Sequence, residues 1–306
     1  FRLAIMIFLY AFLNIFPAVY AQDAGSYLST RFNVRASGMS GAGVAFSRSD
    51  VLVHVNPATI MSSPSDQYIQ FTSFTRLETD YTALDYTRKY NKIGFNTGIR
   101  LAQVDGIITT SVNPNAGNPQ ETTTPYTITG SRSWDTSLYH IALAGQPVDW
   151  LKLGVLGEYI HENLIGYTAY GHGVTLGALA SPNNSPYHFG ASLYHVGDMR
   201  LHWDSGRNEV VAQQLALGVS RFFLDDKVML TTEWHSGPEG ETDWLVGGEL
   251  MLNEAIALRM GNRRTNLSFG VGIDWKWLTV DVAYQHENRL YNNDVFKIAM
   301  GILLWD

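Results

Sequence analysis

The sequence predicts an all-β fold: a transmembrane antiparallel β-barrel of about fourteen strands, preceded by a short Gly-rich N-terminal plug segment. The clearest alternation runs from Leu267 to Lys276, with large apolar residues at odd positions and small, polar or charged residues at even ones. Successive side chains of a strand point to opposite faces, so one face is apolar and the other polar. The pattern recurs in segments of about ten residues, the length of a strand that crosses a bilayer.

About fourteen such segments follow Asp66. Bacterial single-chain barrels have an even number of strands, so the count fits a closed barrel. The segments lie near residues 66–76, 79–90, 92–103, 132–146, 149–161, 166–180, 186–196, 209–222, 227–236, 243–252, 254–262, 266–275, 277–286 and 294–304.

The connections between these segments alternate in length. Short turns are predicted at Asn91, 146–148, 224–226, Asn253 and Lys276, whereas 104–131, 197–208, 236–242 and 287–293 form the longer set. Bacterial barrels have short periplasmic turns and longer extracellular loops. The spacing therefore predicts a periplasmic N-terminus and an outer-membrane location.

Composition agrees with a barrel and excludes other classes. Hydrophobic residues make up 45% of the 306 residues, yet the mean hydropathy is only -0.07. In a barrel only alternate residues face lipid, which reconciles these values. The net charge of -7 without a basic block argues against a nucleic-acid partner. Cysteine is absent, which excludes disulfides and thiolate metal sites.

Residues 1–21 are predicted to be a signal peptide. Arg2 supplies the positive charge, an apolar stretch follows from Leu3 to Phe16, and Val19-Tyr20-Ala21 offers a cleavage site. The alternative is a single N-terminal membrane helix. The short apolar run and the lack of a basic flank after it favour the signal peptide.

Residues 22–65 are predicted to form a plug or lead-in segment before the barrel of residues 66–306. The stretch from Arg35 to Ala45 contains Gly38, Gly41 and Gly43, and Asn56-Pro57-Ala58 is a turn signal. This stretch lacks strand alternation. A flexible tail is the alternative, but the apolar content favours burial at the periplasmic end of the barrel.

No motif for enzyme, cofactor or metal chemistry is present. His161-Glu162 and His172 flank a predicted outer connection, where imidazole and carboxylate groups can bind metal or transfer protons, although solvated rim residues are the simpler interpretation. Polar residues on the inward face are expected to line the lumen rather than to catalyse. These lumen-facing candidates are Lys92, Asn96, Arg100, Glu158, Glu249, Asp274 and Asp281, together with His140.

The plug segment also carries a family resemblance. Arg35-Ala36-Ser37-Gly38-Met39, Gly41-Ala42, Val44-Ala45 and, after a gap, Asn56-Pro57-Ala58 resemble the opening motif of the PorV/PorQ family of outer-membrane proteins. That family is related to the FadL long-chain fatty-acid transporters, which share the Gly-rich lead-in and the Asn-Pro-Ala. The motif covers about 25 residues. Arg48-Ser49 replaces the usual acidic pair, and Thr59-Ile60 replaces the common Gly-Leu.

The resemblance implies two functions and no enzymatic activity. A PorV/PorQ-like protein is a component of type IX-like protein secretion or surface attachment, and its partners are secretion-system proteins or exported cargo. A FadL-like protein is a channel for hydrophobic small molecules such as long-chain fatty acids. The first is favoured because Arg35-Ala36 and Gly38-Met39 fit it better. Either way the expected location is the bacterial outer membrane, with lipid around the barrel, and no cofactor is expected.

Overall fold

The computed structural model describes residues 30–47, 51–112, 126–183, 185–236, 242–264, 266–286 and 294–304. The predicted signal peptide, residues 22–29, and the centres of three predicted loops (113–125, 237–241 and 287–293) lie outside the described residues. Two short helices are present in the described part, the α-helix α1 (Val34–Ser37) and a 3-10 helix (Pro57–Ser62). Neither of the described helices has the length and apolar character that a bilayer-spanning helix needs.

Strands make up almost all the rest of the described chain. Their bounds are β1 Gln67–Arg76, β2 Thr79–Tyr90, β3 Ile93–Val112, β4 Tyr126–Val148, β5 Leu151–Leu164, β6 Tyr167–Ala180, β7 Tyr187–Tyr194, β8 Met199–Trp203, β9 Asn208–Val211, β10 Gln214–Phe223, β11 Val228–Ser236, β12 Thr242–Met251, β13 Ile256–Arg263, β14 Asn266–Trp275, β15 Leu278–Gln285 and β16 Val295–Leu304.

Fourteen of these strands close into one antiparallel barrel, which confirms the predicted fold class. Strand β1 pairs with β2 on one side and with β16 on the other, with Gln67 opposite Leu304, so the sheet has no free edge at this junction. Closure satisfies the backbone hydrogen bonds of every wall strand internally. The remaining two strands, β8 and β9, form a hairpin that extends the wall beyond β7 and β10.

The β8–β9 hairpin arises because the wall is interrupted after β7. His195, Gly197 and Asp198 have positive φ angles, and the backbone N–H of Val196 donates to the carbonyl of Val174 on β6 (2.8 Å). The chain then resumes pairing with β6 as β8. The sequence predicted continuous segments at 186–196 and 209–222. The difference is physical, since the bulge at 195–198 shifts the register against β6, so that even-numbered residues face inward on β7 and odd-numbered residues on β8.

The connections lie at two ends of the barrel, here called the short-turn end and the long-loop end. Two-residue turns at 91–92 and 276–277 lie at the short-turn end, as predicted at Asn91 and Lys276. The turn predicted at 146–148 lies instead at 149–150, because β4 continues to Val148. The predicted loop 104–131 is wrong in its extent, because β3 runs to Val112 and β4 begins at Tyr126. Their backbone pairing continues beyond the wall as a long hairpin.

The two faces of the wall follow the alternation. On β14, Phe269 and Ile273 are 47% and 47% exposed on the outer face, whereas Ser268, Gly270 and Gly272 are buried on the inner face. The same outward apolar pattern appears on β16 with Phe296, Ile298, Met300 and Ile302. A chain that exposes so many large apolar side chains all round its wall requires an apolar surrounding.

Residues 30–47 and 51–65 lie inside the barrel and are called the inner segment below. Almost all of them are buried, and their contacts reach the inward faces of strands on every side of the lumen. The domain boundaries at residues 21 and 65 stay predictions.

Candidate functional site

Local sequence signals shape the inner segment. The side chain of Asn33 caps α1 by accepting from the backbone N–H of Ala36 (2.8 Å). The chain reverses at Gly41, where φ is +93° and an added Cβ would lie 2.7 Å from Cδ of Arg31. Asn56 caps the 3-10 helix, and Pro57 occupies its first turn. These caps and turns explain why the two motifs recognised in the sequence are compact here.

The inner segment rests on glycines of the wall. The inward faces of eight strands each present one glycine to it: Gly94, Gly154, Gly177, Gly190, Gly218, Gly247, Gly261 and Gly270. A Cβ at Gly247 would lie 2.6 Å from Cβ of Met39, and a Cβ at Gly270 would lie 3.0 Å from Cα of Gly38. Side chains at these positions would push the inner segment away, so the glycines permit its close seating.

An ionic network fixes the first half of the inner segment. Arg35 donates two hydrogen bonds to Glu249 on β12, from Nε (2.9 Å) and from Nη2 (2.6 Å). Arg259 on β13 donates from Nε to the same carboxylate (2.7 Å) and also contacts Asp281 on β15. Both arginines and Glu249 are buried, so removing one partner would leave an uncompensated charge.

Glu233 on β11 forms a second anchor. Its Oε2 accepts from the backbone N–H groups of Gly43 (2.7 Å) and Val44 (2.8 Å), and its Oε1 contacts Arg31 (3.2 Å). His235 lies against the same carboxylate. Glu233 is 1% exposed, so this carboxylate is satisfied entirely by protein donors.

Neutral hydrogen bonds fix the second half. The side-chain amide of Asn56 donates to the carbonyls of Val44 (2.7 Å) and of Ala178 on β6 (2.9 Å), and its Oδ1 accepts from Ala58 N–H (3.1 Å). The hydroxyls of Ser192 and Tyr194 on β7 both donate to the carbonyl of Val55 (2.7 and 2.8 Å). The side chain of Asn56 in the Asn-Pro-Ala turn thus bridges the segment to the wall.

Imidazoles and carboxylates meet beside this turn. His54 Nδ1 lies 2.8 Å from Oε1 of Glu158, and His54 Nε2 lies 3.1 Å from Nδ1 of His140. His140 Nε2 lies 2.7 Å from Oδ1 of Asn96 and 3.2 Å from Oδ1 of Asp85. Burial holds the pKa of His54 well below its usual value, so this ring is neutral at neutral pH.

Towards the long-loop end the inward face carries groups of buried apolar side chains. The buried side chains there form two clusters, one of which includes Phe32 of the inner segment. The wall residues of these clusters include Phe74, Tyr81, Ala102, Leu138, Ile160, Met199, Leu201, Val211 and Val295. Polar residues were expected to line the lumen. They do so where the wall meets the inner segment, and buried polar residues such as Glu162 and Asp243 also lie towards this end of the barrel.

Most of the sequence-predicted residues come together. Arg35, Gly38, Met39, Gly41, Asn56 and Pro57 are all in the inner segment, and Asn96, Glu158, Glu249 and Asp281 contact it or its immediate partners. The guanidinium of Arg100 lies 4.5 Å from the ring centre of Phe32.

Two candidates lie elsewhere. Lys92 is in the turn between β2 and β3, where its side chain is 63% exposed and pairs with Asp149 (3.1 Å), because β3 begins one residue later than predicted. Asp274 shares the inward face of β14 but is exposed near the short-turn end. The outer-rim residues also separate: His161 and His172 are exposed, whereas Glu162 faces inward and accepts from Trp134 Nε1 (2.7 Å).

Four residues of these contacts were not predicted from the sequence: His54, Asp85, Glu233 and Arg259. For the three on strands a signal existed, since each is a charged residue at an inward position of an alternating segment. His54 has no such signal because the inner segment lacks any periodicity.

No protein-family model matches this sequence, and no curated protein matches it. Solved structures do share its fold. The CymD monoaromatic hydrocarbon channel is 14% identical, with 89% of this chain and 97% of that chain covered and a TM-score of 0.63. The Ralstonia pickettii toluene transporter TbuX is 15% identical, with 90% of this chain and 98% of that chain covered and a TM-score of 0.58. A Pseudomonas aeruginosa FadL homologue is 11% identical, with 88% of this chain and 98% of that chain covered and a TM-score of 0.55.

Proposed function

We propose that this protein is an outer-membrane channel through which small hydrophobic molecules enter the cell. The single observation that carries the proposal is the apolar inner face of the barrel towards the long-loop end. Porin-like passage of polar solutes requires a polar, water-filled lumen. Here the corresponding wall residues, such as Leu138 (4% exposed) and Leu201 (1% exposed), are apolar and dry.

The fold supports this proposal. The similar structures include a monoaromatic hydrocarbon channel and a toluene transporter, each covered almost completely. Hydrophobic transport, the alternative in the sequence analysis, therefore has more support than the secretion function that was favoured there. Neither PorV/PorQ membership nor type IX secretion gains support from any similar structure.

The inner segment gives the channel a closed state. It lies on eight wall glycines and is held by the Arg35–Glu249 and Glu233 anchors, so it obstructs the lumen between its two ends. A hydrophobic molecule entering from the outside would first meet the apolar clusters and then the inner segment. Passage requires the inner segment to move or to rearrange at some of its contacts.

Uptake of radiolabelled toluene by cells that lack their own hydrocarbon channel tests the proposal. Expression of this chain should raise the initial uptake rate several-fold over cells with an empty vector, with unchanged permeability to a polar sugar. A parallel assay with a long-chain fatty acid shows whether the channel accepts small aromatic molecules, long acyl chains or both. Uptake equal to the empty-vector control for both compounds would overturn the proposal.

Leu138→Gln tests the apolar lining itself. The substitution places a polar amide among buried apolar side chains and should lower hydrophobic uptake several-fold, because the amide must be desolvated or must retain water there. Leu224→Gln is the matched control, since Leu224 is 73% exposed in a short turn. Secretion is tested separately: if deletion of the gene abolished surface display of exported proteins while hydrophobic uptake was unchanged, the secretion function would replace transport.

A further inference from the structure

Four titratable side chains, those of His54, His140, Asp85 and Glu158, form a group whose role is not explained by the proposed function. It joins four parts of the molecule, because His54 belongs to the inner segment, Asp85 to β2, His140 to β4 and Glu158 to β5. His140 is 2% exposed and the side chains of His54 and Glu158 are 9% and 6% exposed. The hydrophobic transport proposed above uses none of these groups.

The two imidazole rings lie in one chain of close polar contacts. Three contacts run in series, from Glu158 to His54 (2.8 Å), from His54 to His140 (3.1 Å) and from His140 to the side-chain amide of Asn96 (2.7 Å). Nitrogen atoms of both rings are thus held close to each other and to carboxylate oxygens.

Asp85 adds a further acceptor. Its Oδ1 is buried and accepts no hydrogen bond among the described residues, although it lies 3.2 Å from Nε2 of His140. The amide nitrogen of Asn96 is already directed to the Thr87 hydroxyl (2.9 Å) and cannot serve Asp85. A buried carboxylate oxygen that accepts no hydrogen bond among the described residues is unfavourable and favours a cation beside it.

We propose that His54, His140 and Asp85 bind one divalent first-row transition-metal ion such as Zn²⁺. One donor atom from each residue lies within 4.8 Å of the others. Two imidazoles and a carboxylate are ligands that Zn²⁺ accepts, with water at the fourth position. A bound cation would give Oδ1 of Asp85 the partner that it lacks among the described residues.

The surroundings fit a metal site. Glu158 contacts the remaining nitrogen of His54, the position where a carboxylate commonly orients a metal-bound imidazole. A Cβ at Gly98 would lie 2.7 Å from Cε1 of His140 and 3.0 Å from Oδ1 of Asp85, so glycine leaves room there. Asp85 and Glu158 bring two negative charges against one positive charge of Arg100, which interacts with both.

A metal ion in this place would fasten the inner segment to the wall. His54 lies two residues before Asn56, whose side chain already bridges to β6. The ion would add bonds to β2 and β4. Such binding energy stabilises the docked segment over any state in which it has left the wall.

Metal titration of the full-length protein in detergent tests the site. The protein should be freed of its affinity tag, treated with EDTA, desalted, and titrated with ZnCl₂ by calorimetry. We expect saturation at about one ion per chain. His54→Gln and His140→Gln should each weaken binding more than tenfold, and Glu158→Gln should weaken it about 10- to 100-fold as expected for an orienting partner. No saturable binding by the unmodified protein would overturn the proposal.

His161→Gln is the matched control, because His161 is exposed on the outer face of β5. Unchanged binding in this variant together with loss in His54→Gln assigns the ion to the inner site. Equal binding in all variants would place it elsewhere and refute the proposal. If His54→Gln, His140→Gln and Glu158→Gln do not fold, the proposal is tested by Co²⁺ titration of the unmodified protein and of His161→Gln. A saturable visible absorption band in both that Zn²⁺ displaces supports the site, and its absence contradicts it.

Discussion

Replacing Asn56 by alanine should release the inner segment from the wall. Asn56 is fully buried, and its side chain makes three hydrogen bonds, to the carbonyls of Val44 and Ala178 and from the N–H of Ala58. Alanine keeps the backbone but removes all three. Unlike a core substitution in the wall, this change leaves every strand pairing intact.

The magnitude follows from the bond to Ala178, which is the one of the three that joins the segment to the wall, since Val44 and Ala58 belong to the segment itself. Losing this bond and leaving a buried group without its partner should cost the docked state about 1–3 kcal/mol. Since about 1.4 kcal/mol corresponds to a factor of ten, the ratio of released to docked segment should rise about 5- to 140-fold. The barrel itself should unfold at nearly the same temperature.

Conductance in planar bilayers measures this release, because a fourteen-stranded barrel without its inner segment encloses an open lumen. We expect frequent ion-conducting openings for Asn56→Ala and rare ones for the unmodified protein. Asn253→Ala is the matched control. Its side chain accepts two backbone hydrogen bonds (2.8 and 2.8 Å), but it does so in an exposed turn. If Asn56→Ala and Asn253→Ala both conducted as rarely as the unmodified protein, the bridging role of Asn56 would be refuted.

Two further variants test the other contacts of the inner segment. Gly190→Val should also increase conductance, because its Cβ would overlap the carbonyl of Val44, whereas Gly157→Val, where the nearest atom is 3.8 Å away, should not; equal conductance would contradict the glycine seating. Glu249→Gln should lower the free energy of unfolding by about 3–5 kcal/mol, since it removes the charge that pairs with two buried arginines. Asp149→Asn, in an exposed pair, should change it by less than about 0.5 kcal/mol, and an equal loss in both variants would show that burial does not decide the effect.

The alternation of residues was sufficient to predict the barrel. In Leu267 to Ile273 a two-residue period separates the outer from the inner face, and the structure places Phe269 outside and Ser268 inside. Such a period is local, so each strand carries its own signal. The β8–β9 hairpin was not predictable in this way, because a bulge at 195–198 depends on pairing with a partner strand.

The motifs likewise predicted a compact segment but not its contacts. Arg35 and Asn56 were identified from their neighbours in sequence. Their partners Glu249 and Ala178 lie 214 and 122 residues away, at distances that no local pattern encodes. The contacts between the wall glycines and the inner segment were unpredictable for the same reason, since the sequence around a strand glycine does not indicate which distant residue will approach it.

The motifs of the plug segment favour a secretion function, whereas the structure gives more support to hydrophobic transport. Gly38-Met39 and Arg35-Ala36 carried the resemblance to secretion components, yet these residues serve in the structure to seat and anchor the segment on the wall. The apolar clusters towards the long-loop end could not be predicted from the sequence. They form because barrel closure places side chains of β1, β4, β5 and the β8–β9 hairpin around one lumen.

The sequence by itself determined the number and sidedness of the wall strands, because alternation against lipid is imposed residue by residue along each strand. Only the tertiary structure decided what fills the barrel. Its closure brings residues far apart in the chain onto one inward surface, and there glycines, buried charges and the His54–His140 pair acquire neighbours that their own segments cannot specify.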